Sequence, residues 1–386
     1  INQPDEEGRQ RAHLFHLYPF MHLLPSGKVF VHFKRTTLLY NPATMLLERV
    51  AVGGAKADET GRTNDPYSRT GPGPGTYVQL PLIPRRNPGT GTIDYPAGRI
   101  MILGGGGAEK KPEEPDKTDG QGDPDDIYKL HSNTQATNSS EILVFNDAMP
   151  EWQFTTEFMR NGRVMPDSIL LPSGKVLVVG GGRTGQSGGL LAHFTSTDMS
   201  GKPDKGATDP VFEPEVFDPE TQQWEQWCPK KLARLYHTTA VLLPDARVLV
   251  AGHDGALNMP PFDESRYELE LFSPPYLFDN NGQLAQRPVI AGAPAELPFG
   301  ERFQIDTPNA AEIASVALIR QSSVTHQINS DQRYVGLAII DVSSHHLMVQ
   351  APPNRNIAPP GYYMLFIVNR SGVPSVAHWI RAAALS

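Results

Sequence analysis

The sequence predicts an all-β protein in two parts, a series of β-propeller blades followed by an immunoglobulin-like β-sandwich. Glycine and proline are abundant, with 35 and 36 copies among 386 residues, which is typical of many short strands joined by turns. One apolar–turn–apolar unit recurs along most of the chain, and near its end the pattern changes to short strands with turns every ~8–12 residues. A chain of this length also exceeds what one hydrophobic core usually holds, so at least two domains are expected.

The recurring unit predicts a β-hairpin whose strands are buried on both faces. Each copy has an apolar run, a turn built around proline and, in most copies, glycine, and a second apolar run, and three of the four copies end in glycine. The copies lie at residues 21–31, 93–104, 168–180 and 239–252, of which the second is the least regular.

A third strand and a polar turn follow three of these copies, at residues 37–44, 140–146 and 215–224. Trp152 and Trp224 come after such turns and are expected to start an outer strand. Four short strands per repeat with glycine-rich ends are typical of kelch-type β-propeller blades. The repeats are spaced roughly 70–76 residues apart, longer than the usual ~50, so long loops are expected between strands, one of them at 108–138.

The propeller pattern ends near Leu271. The segment 272–278 and the turn at 279–282 resemble a hinge, so we expect propeller blades over residues 1–275 and a sandwich over 284–386. The strands expected in this second domain lie at 302–306, 315–320, 347–351, 362–369 and 377–382.

Composition and charge exclude several functional classes. The net charge is −8 and no Lys/Arg cluster is present, which argues against a nucleic-acid partner. No apolar run approaches the ~18–20 residues of a membrane span. The single cysteine, Cys228, excludes an internal disulfide framework and a cysteine-based zinc site. No Gly-x-Ser-x-Gly motif supports a hydrolase.

Several segments resemble the galactose oxidase/glyoxal oxidase family, in the same order as in that family and over nearly the whole chain. They are Arg-Leu-Tyr-His-Thr-Thr-Ala-Val-Leu-Leu-Pro at 234–244, Glu-Leu-Phe-Ser-Pro-Pro-Tyr-Leu-Phe at 270–278, Arg-Pro-Val-Ile at 287–290, and the longer stretches 317–333 and 359–375. The resemblance implies a seven-bladed propeller, of which about four blades are present here, followed by an early set domain.

The resemblance further implies one copper ion, bound by two histidines and two tyrosines. Transferred by motif, the metal ligands in this chain are Tyr236, His237 and His326. Imidazole and phenolate donors suit Cu(II), although a lone Tyr-His pair in a strand is most often a packing feature. Neighbours in a strand point to opposite faces, so Tyr236 and His237 require a bulge or strand end. His326 is expected on a hairpin of the second domain that reaches up the central channel.

Other residues are weaker candidates. Tyr18 and Met165 resemble positions near the family's copper pocket, with simple packing as the alternative. His253 could line the same end of the channel, and the pair His345-His346 is expected in an exposed turn or strand end. Asn138-Ser-Ser is a glycosylation acceptor motif beside the predicted loop.

The fourth family ligand, a tyrosine that carries a radical and is linked to a cysteine, lies in blades that would precede Leu17. Cys228 does not occupy the position of the linked cysteine and is expected to be a buried or loop residue. Three explanations stay open: processing into two chains, absence of the N-terminal blades from this sequence, or their loss in this lineage. An open propeller leaves strand edges unpaired, so we expect a missing or separate N-terminal portion.

The expected function is therefore that of a copper radical oxidase, active only with the missing N-terminal blades. The resemblance implies oxidation of a primary alcohol or aldehyde, with a small alcohol, aldehyde or carbohydrate as substrate, O2 reduced to H2O2 and Tyr236 as the catalytic base. A secreted or wall-associated location is expected. The alternative is a catalytically silent kelch-type scaffold that binds a glycan, a wall polymer or a protein.

Overall fold

The computed structural model describes residues 2–4, 10–12, 18–50, 63–65, 69–70, 73–106, 135–146, 150–185, 208–252 and 268–383. Within these residues the structure is β throughout, apart from 3-10 turns at Pro275–Leu277 and Ala310–Glu312. The predicted all-β class is confirmed. No helix in the described ranges has the length and hydropathy of a membrane span.

The N-terminal part forms a pair of short strands and then successive antiparallel blades. The pair is β1 (Asn2–Pro4) and β2 (Gln10–Ala12). The first blade is β3 (Phe20–Leu23), β4 (Val29–Phe33), β5 (Thr36–Asn41) and β6 (Leu46–Arg49), in that order. The second blade has the order β7-β10-β11-β12, with a small hairpin of β8 and β9 inserted: β7 (Thr76–Gln79), β8 (Arg85–Arg86), β9 (Ile93–Asp94), β10 (Arg99–Leu103), β11 (Ser140–Val144) and β12 (Trp152–Phe154).

The third and fourth blades repeat this plan. The third has the order β13-β14-β17-β18, and a two-stranded ribbon, β15-β16, joins its second and third strands. Its strands are β13 (Asp167–Leu170), β14 (Val176–Val179), β15 (Gly182–Thr184), β16 (Thr208–Pro210), β17 (Glu215–Asp218) and β18 (Gln223–Gln226). The fourth blade has three described strands, β19 (Thr239–Leu242), β20 (Val248–Ala251) and β21 (Glu270–Phe272).

Three of the four predicted hairpins are present, and the hairpin predicted at residues 93–104 is wrong. There, β9 pairs with β8, and β10 pairs instead with β7 as its inner strand. The cause is an insertion between β7 and β10 whose backbone forms hydrogen bonds with β26. The Leu82 amide donates to the Tyr334 carbonyl at 3.0 Å, and the Gly336 amide donates to the Leu82 carbonyl at 2.9 Å. The inserted segment therefore attaches the second blade to the C-terminal domain.

The C-terminal part is a β-sandwich built around one long bent strand. Its strands are β22 (Arg302–Asp306), β23 (Ile313–Arg320), β24 (Val324–Thr325), β25 (Ile328–Asn329), β26 (Arg333–Val342), β27 (His346–Gln350), β28 (Gly361–Asn369) and β29 (His378–Ala382). The first half of β26 pairs with β23 and the second half pairs with β27, with a register shift between Ile339 and Asp341. All five strands predicted for this domain are present, and their ends agree within two residues.

The two parts share a hydrophobic core. Buried side chains of the second to fourth blades, such as Met101, Ile169 and Val248, belong to the same cluster as Ala317 and Phe366 of the sandwich. The hairpin β24-β25 projects from the sandwich between the innermost strands, where β24 lies beside β19 and β25 beside β7. This is the route predicted for the hairpin that carries His326.

An Arg–Glu pair with a fully buried arginine holds the segment leading into the inner strand in each of the last three blades. In every pair the arginine also donates to the carbonyl of the glycine that follows the second strand. The pairs, each written with its glycine, are Arg69–Glu141 with Gly104, Arg163–Glu215 with Gly180, and Arg234–Glu270 with Gly252. The last pair fixes the backbone two residues before Tyr236.

Candidate metal centre

The candidate site lies where the inner strands of the blades begin. Two residues before three of these strands, a non-glycine residue has left-handed backbone: Tyr18 (φ 62°), Met165 (φ 58°) and His237 (φ 61°). This conformation is uncommon for residues with a side chain. Its repetition at equivalent positions shows that the first, third and fourth blades turn their chain in the same way at this end of the channel.

The Tyr236–His237 pair lies just before β19. Neighbouring side chains within a strand point to opposite faces, and the left-handed turn at His237 avoids this separation. The two rings stack face to face with centroids 3.7 Å apart and an interplanar angle of 27°. Because the turn comes before the strand, both side chains lie on the same side of the chain. The predicted strand end at this pair is therefore observed.

His326 meets this pair from the other domain. It occupies the tip of the β24-β25 hairpin with a φ of 51°, followed by Gln327 with a φ of 64°. The Nε2 atoms of His237 and His326 are 3.0 Å apart, and the Tyr236 ring centroid lies 5.9 Å from that of His326. The structure thus brings Tyr236, His237 and His326 into one cluster.

Two contacts orient the His326 ring. The Tyr18 ring stacks on it, with centroids 3.8 Å apart and an angle of 14°. The Thr325 hydroxyl lies 2.7 Å from its Nδ1. A partner on Nδ1 fixes the ring so that Nε2 faces His237, which is how histidine ligands are commonly oriented.

The electrostatics of the cluster favour a neutral imidazole at His326. Burial lowers the pKa of this ring below its usual value, and the neighbouring His237 lowers this pKa further. The neutral imidazole is the form that binds a metal.

The donor set fits copper. Two imidazole nitrogens that share a metal at ~2.0–2.1 Å and at right angles are about 2.9 Å apart, close to the observed 3.0 Å. Within the described ranges no three His, Cys, Asp or Glu side chains cluster as a metal site. A third protein donor beside the two imidazoles would therefore be the Tyr236 phenol, and Cu(II) accepts this combination of donors.

The remaining sequence candidates are dispersed. Met165 is buried in a small cluster against which Tyr236 packs, and His253 lies outside the described residues. His345 is exposed and His346 begins β27, as predicted for a turn and strand end. Cys228 is exposed between β18 and β19, in agreement with the loop alternative.

The structure gives Asn138 a structural contact. Its Nδ2, the atom that would carry a glycan, donates a 2.8 Å hydrogen bond to the Met159 carbonyl, and the residue is half-buried. This environment does not favour the glycosylation expected from the motif.

Sequence reasoning missed two features of this region. The first is the set of Arg–Glu pairs, although Gly-Arg-Val-Met at 162–165 and Ala-Arg-Leu-Tyr at 233–236 place an arginine at the same distance before Met165 and Tyr236. The second is a group of buried polar side chains near the cluster, Asp167, Thr238 and Gln327. No local signal marks them, because their burial depends on strands far apart in the sequence.

Comparison with known protein families identifies both parts of the chain. Residues 7–276 match the family described as glyoxal oxidase N-terminus, and residues 287–382 match the galactose oxidase-like early set domain. The chain is 29% identical over 386 residues to the aldehyde oxidase GLOX of Vitis pseudoreticulata, covering 95% of this chain and 62% of the relative. It is 32% identical over 256 residues to galactose oxidase of Gibberella zeae, covering 65% of this chain and 34% of that enzyme.

Among solved structures, a fungal alcohol oxidase of the AA5 family in complex with copper has a TM-score of 0.59 and 24% identity, covering 95% of this chain and 76% of that one. This likeness supports the fold. The chain spans between a third and about three fifths of the length of the curated relatives named above. With both family matches in sequence order and together covering most of its residues, the chain belongs to the galactose oxidase/glyoxal oxidase family.

Proposed function

We propose that this chain is the copper-binding C-terminal portion of an oxidase that converts a primary alcohol or aldehyde with O2 and releases H2O2. One copper ion would be held by Tyr236, His237 and His326. We further propose that a separate or missing N-terminal portion completes the propeller. In this chain, the propeller blades would occupy residues 1–275 and the sandwich domain residues 284–386.

The observation that carries the proposal is the meeting of His237 and His326. These residues lie 89 positions apart, in two different domains, yet their Nε2 atoms are 3.0 Å apart. Both loop residues of the hairpin that carries His326 have left-handed backbone, as in a two-residue type I′ turn. Glycine, asparagine and aspartate are the residues preferred at such positions, so a histidine at the hairpin tip is an unusual choice that a role in the cluster would explain.

The proposed reaction has a simple balance. An alcohol loses two hydrogens and becomes an aldehyde, or a hydrated aldehyde becomes an acid, while O2 gains both and becomes H2O2. Bound copper, together with a cysteine-linked tyrosyl radical contributed from outside this chain, would supply the one-electron chemistry that this exchange needs.

The residues of this chain position the reactants and move a proton. Tyr236 is half-buried beside the exposed His237, so its phenol can be reached by a small substrate. As the general base, Tyr236 accepts the proton of the substrate hydroxyl. His326 is held in place by Tyr18 and Thr325, and Met165 packs beside Tyr236 as part of the apolar wall.

Copper binding tests the proposal. We expect about one copper per chain in the intact protein, measured by metal analysis, and at least a 10- to 100-fold loss of affinity in His237→Ala and His326→Ala, since even the loss of a residue that only orients a ligand has this effect. His345→Ala, an exposed histidine in a turn, is the matched control and retains copper. Unchanged affinity in both ligand variants would contradict the proposed site.

The oxidase activity needs a further measurement. With the N-terminal portion present, the oxidised protein is expected to give no Cu(II) EPR signal, to gain one on mild reduction, and to release peroxide with small alcohols, aldehydes or sugars. An ordinary Cu(II) signal without peroxide would instead support the catalytically silent scaffold that binds a glycan, wall polymer or protein. A secreted or wall-associated location, where released peroxide is tolerated, belongs to the same proposal.

A further inference from the structure

Three buried side chains next to the cluster have polar atoms without hydrogen-bond partners in the described part of the chain. They are Asp167 (Oδ2), Thr238 (Oγ1) and Gln327 (both amide atoms). None is more than 3% exposed. Buried polar atoms are nearly always satisfied, by protein or by ordered water. Three such residues in one region therefore require an explanation.

The strand geometry places Asp167 and Thr238 on facing sides of two neighbouring blades. Ser168 points toward β7, since its hydroxyl donates to the Tyr77 carbonyl at 3.1 Å. Neighbours in a strand point to opposite faces, so Asp167 points toward β19. On β19, Ala240 is buried and Thr239 is half-exposed, so the buried Thr238, two residues before Ala240, lies on the face toward β13.

Gln327 lies at the same level of the channel. Its carbonyl accepts a 2.9 Å hydrogen bond from the Thr76 hydroxyl, which is also 3.1 Å from the Ser168 hydroxyl. The hairpin tip is thus level with the first residues of β7 and β13. In sequence, each of the three residues lies within two positions of a member of the cluster or of Met165.

We propose that Asp167, Thr238 and Gln327 bind an ordered water cluster on the buried side of the metal centre, and that this water positions the His237 and His326 ligands. Burial raises the pKa of Asp167 well above its usual range, which favours the protonated carboxyl group, a form that can donate as well as accept. The strands in contact with β13 are its sheet neighbour β14 and the adjacent inner strands β7 and β19, and they carry no ionisable side chain except Tyr77, whose hydroxyl donates to the Met21 carbonyl.

The first test is a crystal structure of the intact protein, without and with copper, at a resolution that shows buried water. We expect water within hydrogen-bond distance of at least two of the three side chains in both forms. Their side chains bonded directly to one another or to a protein group, with no water between them, would overturn the proposal.

The second test uses variants with a spectroscopic readout. Asp167→Val is expected to lose the water and to shift the Cu(II) EPR hyperfine coupling, whereas Asp167→Asn, which can still donate and accept, keeps both. Thr239→Val, next along the chain from Thr238 but half-exposed, is the matched control and leaves the spectrum unchanged. Thr238→Val changes only one hydroxyl, so it supplies the test if Asp167→Val does not fold. An unchanged spectrum in both valine variants would overturn the positioning role.

Discussion

Asp167 makes the stability of the protein depend on pH in a direction that can be measured. Its pKa is raised in the folded state by burial, so the native protein holds a proton that the unfolded chain releases above about pH 4. The stabilisation is complete below the unfolded pKa and is lost as the pH rises toward the folded pKa.

We therefore expect Asp167→Asn to gain stability relative to the wild type as the pH rises above 4, by up to ~1.4 kcal/mol per pH unit. Urea unfolding of both proteins at a series of pH values measures this difference. A difference that stays constant with pH would show that the carboxyl group titrates normally.

Tyr18 is predicted to act on copper through His326. Replacing Tyr18 by Leu removes the stacked ring, which is worth ~0.5–1.5 kcal/mol, so we expect copper affinity to fall about 2- to 10-fold. Tyr18→Phe keeps the ring and should retain the affinity in a competition titration. Equal losses in both variants would point to the hydroxyl group instead.

At the level of single residues, sequence motifs predicted the cluster but not its surroundings. Tyr236, His237 and His326 lie within segments that resemble a known family, so their proximity could be anticipated. The left-handed turns, and the Asp167 Oδ2 that has no hydrogen-bond partner among the described residues, could not, because they arise where separate strands and the hairpin meet.

Among the structural elements, the Arg–Glu pairs are predicted to control blade stability. Arg163 and Glu215 are fully buried and lie 2.6 Å apart, and Glu215 also accepts the Arg160 amide. Glu215→Ala leaves a buried cation without its partner, so we expect a loss of ~3–5 kcal/mol in the free energy of unfolding.

The exposed pair Arg99–Glu220, with side chains 27% and 69% exposed, is the control for this loss. Glu220→Ala should change the free energy of unfolding by less than ~1 kcal/mol. Chemical denaturation of the two variants compares the pairs directly, and similar losses would contradict a special role for the buried one.

Elements with a regular pattern were predictable from the sequence, and interrupted elements were not. The hairpins of the first, third and fourth blades have two apolar runs joined by a short turn, and all three are present. In the second blade, β7 and β10 are separated by the insertion that pairs with β26. A local pattern cannot reveal a partner strand on the far side of such an insertion.

For the whole molecule, Arg333 is predicted to couple the two domains. It donates to the Leu23 carbonyl of the first blade and to the Asn356 and Ile357 carbonyls of the sandwich. Burial lowers its pKa to about 10, still far above neutrality, so the cation persists. Replacing Arg333 by Leu leaves these carbonyls without their donor.

We expect Arg333→Leu to lose at least ~2 kcal/mol and to separate one thermal transition into two, as measured by calorimetry. Arg302→Leu, at an exposed position of β22, should keep the wild-type transition. A single transition in Arg333→Leu would show that the shared hydrophobic core alone couples the domains.

The left-handed residue before the inner strands has an evolutionary consequence. Tyr18, Met165 and His237 have equivalent positions and backbone conformations. Duplication of an ancestral blade would therefore have copied a backbone turn that presents a side chain at the channel mouth. Exchange of one amino acid at any of these positions would change the proposed ligand His237, the stacking ring of Tyr18 or the apolar side chain of Met165 without rebuilding the backbone. Single substitutions could therefore alter the chemistry at this end of the channel, while the repeat that holds the blades together is inherited unchanged.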